Sequence, residues 1–184
     1  KADLQIKGLV IGSSIMFFTG LIDDLIDIKP LVKLTLEVIA ALVLIYFGIS
    51  VDIIRLPLGI QIDTGIISFV FTIIWVAGIT NAVNLIDGLD GLVSGVSIIS
   101  LVTMGIVSYF FLPVPNLFLT MTIFVLVAAI AGFFPFNYHP AILYLGDTGA
   151  LFIGFMISVL SLQGLKNATA VAVVTPMIIL GVPI

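Results

Sequence analysis

Long apolar runs broken at short polar intervals dominate this chain from one end to the other. A helix that crosses a bilayer needs roughly 20 largely apolar residues, and on that measure the pattern predicts seven spans. The first covers Gly8–Ile22, with residues 4–7 extending it upstream, and the second covers Leu31–Ile49. Between Ser50 and Thr64 the pattern changes: Asp52, Arg55, Pro57, Gly59 and Asp63 interrupt alternating apolar residues. That stretch predicts a small hairpin or loop outside the hydrocarbon. Further spans are expected at Gly65–Ala82, Leu92–Phe111, Leu117–Phe134, Ala150–Gln163 and Ala168–Ile184. Pro176 interrupts the last of these, which a membrane helix tolerates where neighbours satisfy the freed carbonyl. The expected fold is therefore an all-α polytopic membrane protein of about seven transmembrane helices, forming a single transmembrane domain over residues 1–184. The chain starts at Lys1 rather than Met and stops as an apolar run ends, so it reads as the central part of a longer protein, truncated at both ends.

Composition fixes the class more firmly. Apolar residues make up 61% of the chain and charged residues 9%, and the mean hydropathy is +1.40. Soluble domains carry about a quarter of their residues as charges, so that class is excluded. A net charge of -4 offers no basic footprint for nucleic acid. The absence of cysteine removes disulfide frameworks and thiolate metal sites.

Scarce charges make their positions informative. With alternating crossings, the breaks after spans one, three and five fall on one side of the membrane. Those breaks hold Asp23, Asp24 and Asp27, then Asp87 and Asp90, then His139 and Asp147. Three clusters far apart in sequence are thus expected on one face. Lys33 and Glu37, four apart in the second span, share a helix face and are expected to pair within the bundle. The lysines and Arg55 are spread over both sides, so the positive-inside rule gives no orientation.

Each cluster has its own chemistry. In GLIDDLIDIKP, Asp27 lies near the helix face shared by Asp23 and Asp24, and three carboxylates this close repel unless a cation or basic group neutralises them. A solvated acidic turn before Pro30 is the simpler alternative. In NAVNLIDGLDG, Asn81, Asn84, Asp87 and Asp90 follow at three-residue steps, a polar stripe if the segment is helical. Polar residues at membrane depth face a bundle interior or cavity, either as interhelical glue or as a site. In FNYHPAILYLGDTG, Asp147 sits between Gly146 and Gly149 at the start of an apolar helix. It could cap that helix, or bind a divalent cation while the helix N-terminus faces a phosphate. One histidine and no cysteine argue against zinc. Oxygen ligands suit magnesium, which uses one or two carboxylates together with substrate phosphates. The three clusters together point to metal-assisted phosphoryl chemistry.

At these residues the sequence resembles the polyprenyl-phosphate N-acetylhexosamine-1-phosphate transferases. The resemblance runs from about Phe17 to the end of the chain and rests on GLIDDLIDIKPLVKL, NAVNLIDGLDGL and FNYHPAILYLGDTGALFIGF, in that order. It is nearest to the bacterial undecaprenyl-phosphate N-acetylglucosaminyl-1-phosphate transferase branch, which starts teichoic acid or O-antigen assembly. Asp27 and the LIDGLDG segment favour that branch over the phospho-N-acetylmuramoyl-pentapeptide transferases. The resemblance implies transfer of a sugar-1-phosphate from a UDP-sugar to a polyprenyl phosphate, with release of UMP, by a multi-pass enzyme of the plasma or inner membrane with a cytoplasmic catalytic face. It implies magnesium, with manganese as an alternative, and is compatible with a homodimer. Asp23 and Asp24 match the family's paired aspartates, which act on the acceptor phosphate or assist metal binding. Asp147 matches the metal-binding aspartate. Asn84, Asp87 and Asp90 match a segment that lines the nucleotide pocket and organises catalysis, with Asp87 and Asp90 counted among the catalytic carboxylates. Asn137 matches an asparagine expected near the uridine, and His139 lies in the same substrate-binding segment. The family's opening helices and its later histidine-rich segment are absent, so this piece alone is expected to be inactive. Attack by the lipid phosphate could be direct or proceed through an aspartyl-phosphate. The rival of another class is a transporter with an acidic ion path, for which inverted repeats and midplane polar groups are expected. No convincing repeat is present, and the polar clusters lie at span ends.

Overall fold

The computed structural model describes residues 2–50, 53–55, 61–63, 65, 67–111 and 116–167. The first polar break forms where the sequence changes from apolar run to acids. Helix α1 (Ala2–Ile26) stops at Asp27, which takes a left-handed φ of 50°, a conformation that the short polar side chains Asn and Asp accept more readily than most. The Asp27 N–H still bonds the Asp23 carbonyl at 2.8 Å. Pro30 then opens α2 (Pro30–Tyr46) in its first turn, where the missing N–H costs nothing.

A short antiparallel pair follows, β1 (Ile53–Arg55) and β2 (Gln61–Asp63), in the register Ile53–Asp63, Ile54–Ile62, Arg55–Gln61. This is the hairpin expected at 50–64. Helix α3 (Ile67–Ile86) runs into a turn over residues 87–91. Gly91 closes that turn with φ 74°, and a Cβ there would lie 3.4 Å from the Tyr138 Cα, so both the backbone angle and the close approach call for glycine. Helix α4 (Leu92–Ile106) continues as a π-helical turn over Val107–Phe111. Helix α5 (Leu117–Asn137) starts at Asn116, whose side chain accepts the Leu119 N–H at 3.1 Å. Helix α6 (Gly146–Asn167) completes the described chain.

Among the described residues, five helices are long and apolar enough to cross a membrane: α1, α3, α4 with its π turn, α5 and α6. Helix α2 has 17 residues, at the lower limit for a crossing. The expected seventh span, Ala168–Ile184, lies outside the described residues. A polytopic α-helical membrane fold stands; the count of seven spans does not follow from it. Lipid-compatible faces are plain in the exposures. Phe18, Leu25, Ile67, Ile74, Phe110, Met121 and Val125 all point outward, while the hydroxyls of Ser14, Thr35, Thr103 and Thr122 bond carbonyls of their own helices. That is how a surface facing hydrocarbon keeps its polar groups satisfied.

The chain divides into two compact units. The first comprises Lys1–Val51, Thr64–Leu85 and Leu145–Val159, and the second Asp52–Asp63, Ile86–Tyr144 and Leu160–Ile184. In the first, α1 packs on α2, and Met16, Leu44, Val76, Val83, Leu151 and Phe155 are buried. Small residues set the approach of the helices. A Cβ on Gly154 would stand 2.9 Å from the Thr80 Cα and 3.1 Å from its carbonyl, so α6 and α3 meet backbone to backbone. In the second unit, α4 packs on α5. Gly105 lies under the Phe124 ring, and the Ser108 and Thr120 hydroxyls hydrogen-bond at 3.0 Å.

Candidate active site

The first unit brings ionisable side chains together from the last turn of α1 and the first turns of α2 and α6, with the neutral Asn84 from the end of α3 beside them. The decisive contact is backbone to backbone. A Cβ on Gly20 would come within 2.5 Å of the Asp147 carbonyl and 2.6 Å of the Thr148 nitrogen. Only a glycine lets α1 lie this close to the start of α6. One turn further along α1, Asp24 reaches the start of α6 and accepts the Asp147 N–H at 2.8 Å, the Thr148 N–H at 3.0 Å and the Thr148 hydroxyl. Asp24 thus caps α6 from another helix, satisfying amide donors that a helix start leaves unpaired and placing negative charge where the helix dipole favours it. Gly146 makes room for this: its φ is 64°, and a Cβ there would meet the Asp24 Oδ2 at 2.9 Å.

This arrangement changes two readings of Asp147. It does not cap its own helix, because Asp24 does so. The first amides of α6 are likewise not open to a phosphate, since Asp24 already takes them. The Asp147 carboxylate instead accepts from Lys33 Nζ through Oδ2 at 2.6 Å and from Asn84 Nδ2 through Oδ1 at 2.7 Å. Lys33 also ion-pairs with Asp23. Asp23 is 6% exposed, and its other oxygen accepts the Ile28 N–H at 2.8 Å. One ammonium therefore lies between two carboxylates, answering the repulsion that three neighbouring acids would otherwise suffer.

The expected Lys33–Glu37 pairing is not what forms. Lys33 turns to Asp23 and Asp147, where two carboxylates offer more than one. Glu37 is buried and accepts from the Asn81 side chain. Lys33 and Thr148 belong to this centre although motif spacing alone does not single them out. The available signal for Lys33 was a positive charge inside an apolar span, three residues after a helix-opening proline.

The second unit holds Asp87, Asp90, Asn137 and His139. The expected polar stripe is split: Asn81 and Asn84 ride on α3, but the helix ends at Ile86, so Asp87 and Asp90 sit in the following turn. Gly88 and Gly91 at 87–91 favour the turn over further helix. Asp90 accepts the Ala141 N–H at 3.1 Å and faces His139 Nδ1 at 3.0 Å. The His139 ring is 79% exposed. Asn137 is buried; its Oδ1 accepts from Ser94 at 2.7 Å and its Nδ2 donates to the Leu143 carbonyl at 3.0 Å. It ties the 138–145 loop to α4. Asp87 is half-buried in the turn, and Asp27 is exposed beyond the end of α1.

The Ala141 N–H, with the His139 ring after it, holds the Asp90 carboxyl below the usual carboxylate range. A lowered folded-state pKa means that this contact stabilises the loop fully above the ordinary aspartate pKa, and that its contribution fades as pH falls through the lowered value. Asp90→Asn should therefore lower the protection factor of the Ala141 amide at neutral pH, and acidification should lower it in the unaltered chain once the slower intrinsic exchange is divided out. Unchanged exchange in the variant would show that the contact does not hold the loop.

Fold and site together define a polytopic helical membrane protein with a lysine-bridged carboxylate centre at its helix ends. The glycosyl transferase family 4 profile matches residues 6–165, and the chain belongs to that family. It is similar to a probable undecaprenyl-phosphate N-acetylglucosaminyl 1-phosphate transferase of Bacillus subtilis (strain 168), at 38% identity over 184 residues, covering 99% of this chain and 51% of the relative. It is also similar to phospho-N-acetylmuramoyl-pentapeptide-transferases. One from Streptococcus thermophilus (strain CNRZ 1066) is 30% identical over 155 residues, 78% of this chain and 44% of the relative. Another from Streptococcus pyogenes serotype M12 (strain MGAS2096) is 34% identical over 154 residues, 78% of this chain and 45% of the relative. The chain spans about half the length of these curated relatives. The family resemblance drawn from the three motifs is borne out.

Proposed function

We propose that the full-length protein transfers N-acetylglucosamine-1-phosphate from UDP-N-acetylglucosamine to undecaprenyl phosphate and releases UMP. The observation that carries this reading is the centre in which Asp23, Asp24, Lys33, Asn84 and Asp147 converge from four apolar helices. A fixed cation among carboxylates at helix ends suits a phosphoryl group that must be held and neutralised beside a membrane lipid. The Bacillus subtilis relative's name supplies the lipid acceptor and the transferred group, and the UDP carrier follows from the family resemblance.

In this reaction an oxygen of the lipid phosphate attacks the β-phosphorus of the UDP-sugar. The bond from that phosphorus to the bridging oxygen breaks, and UMP leaves with the oxygen. Lys33 is the residue assigned to hold phosphate oxygens, with Asp23 keeping the ammonium in place. Asp24 fixes the start of α6, and with it Asp147. Asn84 orients Asp147, while Asp87 and Asp90 contribute to nucleotide binding and catalysis. Asn137 serves by anchoring the loop that carries His139. Direct attack and a route through an aspartyl-phosphate both balance with these residues, since a carboxylate can serve as base or as nucleophile.

Among the described residues no group of three or more His, Cys, Asp or Glu is arranged to hold a metal by itself. The donor chemistry still fits magnesium, which takes hard oxygen ligands and relies on one or two protein carboxylates plus substrate phosphates. Asp147 is the residue that would hold it, and the bound ion would offset charge on the transferred phosphoryl group and on UMP. A cytoplasmic catalytic face is part of the same proposal, since UDP-sugars are cytoplasmic substrates.

The test uses the full-length protein in membranes. UMP release is expected with UDP-N-acetylglucosamine, polyprenyl phosphate and magnesium, and is expected to disappear on chelation. Faster release with the UDP-N-acetylmuramoyl-pentapeptide would move the assignment to the other named relatives. No release with any UDP-sugar would end the reading.

A further inference from the structure

A buried acid lies beneath the charged centre with no part in the chemistry assigned above. Glu37 is wholly buried on α2, one turn after Lys33. Asn81 lies on α3, one turn before Asn84. The Asn81 amide donates to Glu37 Oε2 and, at 2.8 Å, to the Ala77 carbonyl of its own helix. The other carboxyl oxygen of Glu37, Oε1, is buried without a hydrogen-bond partner among the described residues.

These facts fit poorly with a role in stability alone. A bare carboxyl oxygen in an apolar bundle is a standing cost, and an apolar residue of similar volume would remove it. The contact also does little for Asn81, whose amide keeps one hydrogen bond to Ala77 in any case. What the contact does is tie α2 to α3 one turn from the level at which Lys33 and Asn84 both reach Asp147. A slip of one residue between those helices would turn Lys33 and Asn84 away from a shared carboxylate, because successive helix positions face different directions. Asp147, which both side chains reach at that level, belongs to a third helix.

We infer that Glu37 and Asn81 form a buried positioning tier that holds Lys33 and Asn84 in register on Asp147. Glu37 touches neither substrate nor reacting atoms; it acts through its neighbours. The inference rests on the proposed transferase reading for its effect on turnover, and on geometry alone for its effect on helix register.

Two measurements on the full-length protein separate these. The first is kinetic. Glu37→Leu is expected to lower kcat about tenfold, since small misplacements of catalytic groups are costly, with much less change in KM. Its thermal midpoint should be equal or higher. Glu37→Gln keeps an acceptor for Asn81 and should retain most of the turnover. The Glu37→Leu/Asn81→Leu double variant should lose no more than the worse single variant, because the two residues form one contact. The second measurement needs no activity. On a background without other cysteines, Lys33→Cys and Asn84→Cys are bridged by a short bifunctional maleimide. Bridging should fall several-fold when Glu37→Leu is added and recover with Glu37→Gln.

Outcomes are distinct. If the unaltered enzyme releases no UMP, the transferase reading fails and the bridging yield still decides the tier. If bridging is indifferent to Glu37→Leu, the tier is wrong even where UMP release is robust. A Glu37→Gln variant as impaired as Glu37→Leu would overturn the hydrogen-bonded tier in favour of a requirement for the acid itself.

Discussion

Asp147→Asn in the full-length enzyme is expected to lower turnover by about 100-fold or more, the scale of losing one preorganised electrostatic group, with membrane insertion unchanged. The reason lies in what faces each oxygen. Lys33 donates to Oδ2 and Asn84 donates to Oδ1, so both positions meet donors. An asparagine amide has only one acceptor end. Turned one way, its NH₂ group confronts the Lys33 ammonium; turned the other way, it confronts the Asn84 amide. Either choice breaks a contact that fixes the centre, and Lys33 is left with Asp23 as its single carboxylate partner. Insertion should survive because the 146–164 window owes its membrane character to apolar residues, and asparagine costs the bilayer less than aspartate. UMP release and carbonate-resistant membrane retention, measured on the same preparation, check both halves. Turnover close to that of the unaltered protein would remove Asp147 from the proposed chemistry. Loss of retention would mean that the substitution acts through folding.

The same residue shows what a sequence can carry and what it cannot. Apolar runs and polar breaks were enough to locate α1, α3, α4, α5 and α6, because a bilayer demands long apolar helices and leaves few alternatives. Alternating crossings put three clusters on one face; of these, the Asp23–Asp24 pair and Asp147 meet in the first unit, joined there by Asn84, while Asp87, Asp90 and His139 belong to the second unit. Partner choice was beyond this reasoning. Lys33 and Glu37 are four apart and of opposite charge, yet the local rule that pairs them loses to two carboxylates brought in from α1 and α6. Asp24 looks from sequence like half of an acidic pair. Its three contacts with Asp147 and Thr148 are a tertiary fact, created by a glycine one turn away. The three-residue spacing of Asn81, Asn84, Asp87 and Asp90 suggested one stripe, but spacing carries no information about where a helix ends. Gly88 and Gly91 gave that information, and their pull towards a turn outweighed the period.

Gly20→Ala is expected to cost about 1–3 kcal/mol, the range for forcing a methyl into a packed interface. The added Cβ would lie 2.5 Å from the Asp147 carbonyl and 2.6 Å from the Thr148 nitrogen. These are backbone atoms in the first turn of α6, so no side chain can swing aside, and α1 must retreat. The retreat stretches the three Asp24 contacts that cap α6, and it draws Asp23 from Lys33 along the same helix. Turnover should therefore fall together with stability, even though a methyl group carries no charge and touches no substrate. Gly132→Ala supplies the contrast. Gly132 is also a helical glycine, and among the described residues nothing lies within 4 Å of the place its methyl would take. Alanine there should be neutral or stabilising by up to about 1 kcal/mol through helix propensity. Thermal midpoints in detergent and UMP release, taken on both variants of the full-length protein, test the argument. A Gly20→Ala enzyme with an unaltered midpoint and turnover would mean that α1 and α6 can part without disturbing the centre, and the backbone contact would lose its role as the hinge on which Asp23, Asp24 and Asp147 are brought together.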